Sequence, residues 1–180
     1  MLTRARKNRG FSIIEMVIAL GIVALLFKLA VPSFRTWLQN TQIRTAAHSI
    51  TDGMNVARQE AIHRNVPVQL QLTSLPDGTS EAWSVTEVTA GTLVQQWSST
   101  EGASTTKILQ PTGGIITFNA LGRVVNPNPS DNSAPLLQVD VTSSNESAGN
   151  GLRNMRVLVG GGGNVRMCDP QLTQPDPRAC

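Results

Sequence analysis

The sequence predicts an α+β protein: one long N-terminal helix, then an antiparallel sheet built from short strands. Met16 to Phe27 is apolar without a break, and Ile43, Ala46, Ala47, Ile50, Met54, Ala57 and Ala61 then recur at helical spacing. From Val66 the apolar period drops to two, and Gly, Asn, Pro and Ser punctuate everything that follows. The 180 residues suit one ordinary domain with something to spare, with no internal repeat and no second domain.

The charge is uneven. Fifteen Lys and Arg against 12 Asp and Glu give +3, but Arg4, Arg6, Lys7 and Arg9 lie in residues 1–10, which hold no acid. Beyond residue 10 the balance is 11 basic (15 − 4) against 12 acidic, a net of −1. The basic character thus belongs to a short leader, and pI is no argument for nucleic acid. At 15% charged residues, disorder driven by net charge is excluded too.

After the leader, residues 11–34 make 24 largely apolar positions, about 36 Å as a helix and enough to cross a hydrocarbon core of roughly 30 Å. Positive charge before the span predicts a cytoplasmic N-terminus. A secretory signal would show a shorter core and a small-x-small cleavage site, yet the apolar run continues through Ala24 and Ala30. A plain anchor explains the length but not Glu15, since a carboxylate one turn into a span costs a few kcal/mol and normally has a partner. Cleavage after Gly10 would put the new amine of Phe11 one helical turn from Glu15, where opposite charges attract strongly in an apolar medium. Pro32, interrupting the apolar helix, lies 22 positions past that cut. Lys28 is near the far end of the span, where its stem can snorkel to the headgroups.

The basic leader, Gly10-Phe11-Ser12-Ile13-Ile14-Glu15 and Pro32 together resemble the processing site of type IV pilins and type II secretion pseudopilins. The resemblance implies that a prepilin peptidase cuts after Gly10 and methylates the amine of Phe11. It further implies a single-pass inner-membrane protein with a periplasmic head, later carried in the pilus on the cell surface. Its partners would be inner-membrane lipid before assembly, the inner-membrane assembly platform, and other major and minor pilins through their N-terminal helices. Glu15 and Pro32 would serve assembly in residues 11–34, which become the filament-core helix.

Residues 35–64 read as the amphipathic helix of the head, with Arg35, Arg44, Arg58, Gln59 and Arg64 mostly off the apolar stripe. With the span, the helix runs from about Phe11 to Arg64, roughly 80 Å, and Pro67 ends it. Residues 65–180 form the β-rich head. Val66–Leu72, Ala82–Val88, Thr92–Trp97, Ile115–Phe118, Gly122–Val125, Leu136–Thr142 and Met155–Val159 are strand candidates. Pro76-Asp77-Gly78 is a turn, and Asn126–Ala134 and Ser143–Gly151 are loops. The Ile116–Val124 hairpin and the closing Gly163–Pro170 resemble the GspH/FimT family of minor pilins and pseudopilins, which implies a pilin-like fold.

Catalysis has little to stand on. His48 and His63 lie fifteen residues apart on the helix, too far to share a ligand, and no cofactor or metal is expected. Gly160-Gly161-Gly162-Gly163 lacks the following helix and lysine of a phosphate cradle and reads as a hairpin turn before Asn164–Met167. In an exported head, Cys168 and Cys180 default to a disulfide. Closing a loop of about 13 residues stabilises by roughly 3 kcal/mol in the chain-entropy model, and pins a proline-rich tail.

Some FimT-type pilins bind DNA through a C-terminal Gly-Arg-x-Arg motif. Here the matching stretch is Gly163-Asn164-Val165-Arg166, with Asn164 in place of the first arginine. Arg153, Arg156, Arg166 and Arg178 are nevertheless concentrated near the C-terminus, and Arg156 and Arg166 are candidate cross-strand neighbours. Double-stranded DNA is therefore a candidate partner, bound weakly and in a salt-sensitive way. The resemblance makes the chain a minor pilin at the tip or priming complex of a type IV pilus; the alternative is a type II secretion pseudopilin.

Overall fold

The structure, a computed structural model, describes residues 11–74, 79–109, 114–144 and 151–180. The leader with Gly10, and the turn at residues 76–78, lie outside these. Helix α1 spans Ile13–Arg64. Ser12 caps it: its hydroxyl oxygen accepts the Glu15 amide at 3.2 Å, and its carbonyl accepts the Met16 amide at 3.2 Å. Ser12 and Glu15 thus stand at capping-box spacing, with the carboxylate in the first turn where the helix dipole favours it. The helical backbone continues through Pro32, so the interruption expected there does not occur. Proline's fixed φ is itself helical, and one missing amide donor is borne by the turns on either side. At the other end Asn65 takes φ 56°, the left-handed stop that Asn tolerates, and Pro67 follows two residues on.

The chain divides into two compact units between Trp37 and Leu38. In the first, the side chains of the apolar helix point outward: Leu20 is 66% exposed and Phe27 64%. By length and composition this segment can cross a membrane.

In the second unit, the seven stripe residues Ile43, Ala46, Ala47, Ile50, Met54, Ala57 and Ala61 are all fully buried. They share one core with the sheet's inner face: Val68, Leu70, Val85, Ile116, Phe118, Val139, Val141 and Val157. Small residues bring helix and sheet close. A Cβ on Gly53 would lie 2.8 Å from Cη2 of Trp83, and the Trp83 indole donates to the Ser49 hydroxyl at 3.4 Å.

The sheet comprises β1 (Val68–Ser74), β2 (Thr79–Glu87), β3 (Leu93–Ser98), β4 (Thr106–Leu109), β5 (Ile115–Phe118), β6 (Gln138–Ser143), β7 (Met155–Val159) and β8 (Val165–Cys168). Its order is β5-β1-β2-β4-β6-β7-β8, with β3 also on β2 and every strand pair antiparallel. One strand expectation needs correction, and one strand is not among those expected. Gly122–Val125 is no strand: Gly122 has φ 71° and the Asn119 side chain accepts the Leu121 and Arg123 amides, each at 3.0 Å, leaving a single bridge, Phe118 to Val124. β4 is absent from those expectations, because Thr106–Leu109 has only two apolar residues, Ile108 and Leu109, in a loop-rich stretch. The Asn126–Ala134 loop is held by Asn128, fully buried, whose amide donates to the Ile115 carbonyl at 3.0 Å.

Candidate functional site

The C-terminal strands and tail hold most of the candidate site residues. β7 and β8 are joined by the glycine turn, in which the Gly163 amide donates to the Gly160 carbonyl at 2.8 Å. Gly163 (φ 81°) packs against the carbonyl of Gly122, which also accepts from Arg58 Nε at 3.1 Å. The glycine of the Gly163–Arg166 stretch therefore ties this turn to the Asn119–Arg123 turn and the helix.

Register separates the arginines. Arg156 pairs with Cys168, and Arg166 with Leu158. The two arginines share a face but stand diagonal to each other, so the cross-strand pairing expected for them does not form. Their face is turned away from the core, which Val157 and Val159 enter from the alternate positions. Arg156 is forked onto Asp140, Nε to Oδ1 at 2.6 Å and NH2 to Oδ2 at 3.1 Å. Arg166 reaches the Cys180 carbonyl at 3.4 Å.

The disulfide joins Cys168 to Cys180 with Cα atoms 5.1 Å apart. It folds the tail back: the Asp169 amide donates to the Arg178 carbonyl at 2.7 Å, and Asp169 bridges Ala179 in parallel. Arg178 grips Asp176 at 2.8 Å. That side-chain hydrogen bond, and then one from the Arg178 backbone amide, lower the Asp176 carboxyl to about 2.

Arg153 and Arg178 instead line a cleft of about 340 Å³ between α1 and the tail. Asn40 fixes its wall, donating to the Gly151 carbonyl at 2.9 Å and accepting the Arg153 amide at 2.8 Å. Arg44 and His48 line the same cleft. The sequence candidates omit both, although Asn40, Arg44 and His48 follow at i, i+4 and i+8, one helix face. Met155, Met167 and Pro177 supply apolar lining, and Asp169 the one carboxylate. His63 is exposed elsewhere on α1. Among the described residues no cluster of His, Cys, Asp and Glu could hold a metal ion.

A helix with an outward-facing apolar N-terminal part, packed further along on an antiparallel sheet, defines the pilin class of fold. The model of the type II transport protein GspH family matches residues 46–171, and the prokaryotic N-terminal methylation motif matches residues 5–27. The chain belongs to the GspH family, whose members are structural pilins and pseudopilins rather than enzymes. Among solved structures it is similar to the type IV minor pilin FimU of Pseudomonas aeruginosa, with TM-score 0.53 and 16% identity over 75% of this chain and 97% of that one. A second crystal form of FimU gives 0.51 and 16% over 71% and 97%. The minor pseudopilin EpsH of Vibrio cholerae gives 0.48 and 13% over 73% and 99%. No curated protein matches significantly.

Proposed function

We propose that this chain is a minor pilin of the type IV pilus, inserted as a prepilin, cut after Gly10 and drawn into the tip or priming complex. The observation that supports it most is the uncovered apolar helix opening on Ser12-x-x-Glu15, within the span of the methylation motif. A capping-box glutamate reaches back toward the residue before the helix. That residue is Ser12, and after the cut the ammonium of Phe11 is one residue further out, within reach of a Glu15 carboxylate of its own chain or a neighbour's. A charge pair formed in the apolar filament core fixes axial register, because a subunit displaced along the axis would leave Glu15 unpaired.

Glu15→Ala is the test. The variant inserts and is processed but enters filaments poorly; incorporation at the normal level would remove Glu15 from assembly. The second reading, a type II secretion pseudopilin, is favoured by the description of the matching family. Deleting the gene separates the two: surface pili are lost in the first case, secretion of folded proteins in the second. DNA binding gains little support from the arginines' placement, since Arg156 is occupied by Asp140 and Arg166 lies on a different face from the cleft holding Arg153 and Arg178.

A further inference from the structure

The cleft between α1 and the tail carries more positive charge than its surroundings answer. Arg44 and Arg153 are exposed and make no side-chain hydrogen bond or ion pair among the described residues. Arg178 is partnered by Asp176. Asp169, the lining carboxylate, is buried and accepts the Gln171 amide at 2.9 Å. The Arg153 charge is felt by the Asp176 carboxylate, but neither the Arg44 nor the Arg153 fork is engaged in a hydrogen bond among the described residues, and both border a lining of Met155, Met167 and Pro177.

We propose that this cleft docks an acidic peptide segment of another filament subunit, with Arg44 and Arg153 taking its carboxylates. Guanidinium matches a carboxylate in a two-pronged fork, and the flexible thioethers of Met155 and Met167 accommodate apolar side chains between the acids. A duplex is a poorer occupant: its backbone offers phosphates to an open surface and nothing to the methionines. The walls are fixed before binding. Asn40 clamps the segment that leads into β7, with Arg153, to the helix, and the Cys168–Cys180 bond holds Pro177 and Arg178 over the other side. A pre-formed site loses less conformational freedom on binding. The source of the segment rests on the filament-subunit reading; the chemistry of the cleft does not.

The test uses the full chain in detergent micelles and a short fluorescein-labelled peptide of alternating glutamate and leucine. Fluorescence anisotropy should show binding that weakens with salt and is absent for the glutamine–leucine counterpart. Arg44→Gln with Arg153→Gln should weaken it by about fivefold or more with the melting temperature unchanged, whereas Arg166→Gln leaves it intact. No binding at low ionic strength, equal binding of the glutamine peptide, or no loss in the double variant would each overturn the proposal. So would a DNA duplex that binds more tightly than the peptide and is lost in the same double variant. Peptide binding by a chain that never enters filaments would sink the proposed function and leave the cleft's chemistry standing.

Discussion

Adding one methyl group at Gly53 sets two effects against each other. Ala gains about 1 kcal/mol of helix propensity over Gly, but the new Cβ meets the Trp83 ring at 2.8 Å. That ring is 2% exposed and held by Ser49, so overpacking of about 1–3 kcal/mol wins. Gly53→Ala should lower the melting temperature by a few degrees in thermal unfolding. Gly163→Ala should cost more, about 2–4 kcal/mol, because a positive φ adds to collision with a backbone carbonyl that cannot rotate away. The sequence marks the glycine run as a turn; it does not show that Gly163 abuts a second turn far away in the chain. Asp176 is a third case. Its folded pKa is depressed, so its contribution is complete above the ordinary value near 3.8 and is lost as pH falls through about 2. An NMR titration of its carboxyl should show a midpoint near 2, returning toward the ordinary value in Arg178→Ala.

Strands are legible in the sequence where β-branched and other apolar residues are dense. Ile115–Phe118 and Met155–Val159 match β5 and β7 end to end. β4 has four residues in a loop-rich stretch and shows no pattern of its own; its place is given only by β2 and β6 on either side. Gly122–Val125 has strand-like composition, but a left-handed glycine and a side chain accepting two amides make a turn instead. Arg156 and Arg166 are candidate cross-strand neighbours in the sequence, but their pairing depends on the register across the hairpin, which turn length sets and alternation does not encode. The tail depends on its covalent closure. Cys168→Ser with Cys180→Ser should lower stability by roughly 3 kcal/mol in the chain-entropy model. It should also speed hydrogen exchange at Ala179 and Asp169 while the amides of β1 and β5 stay protected. Uniform loss across all strands would contradict a tail that closes over a finished core.

Across the whole molecule, the sequence shows most clearly what is local: the apolar span, and the helical stripe, whose seven residues are all fully buried. The cleft escaped because it joins positions more than a hundred residues apart, such as Asn40 and Gly151, with no sequence pattern linking them. Function follows the same division. A glutamate in the first turn of an uncovered apolar helix is readable from a dozen residues, and the proposed function rests on what happens to that end of the chain. The direct test is mass spectrometry of the N-terminal peptide from the protein recovered in sheared filaments. The account predicts a chain beginning at N-methylated Phe11. A filament-borne chain that retains residues 1–10, or begins at any other position, would contradict it.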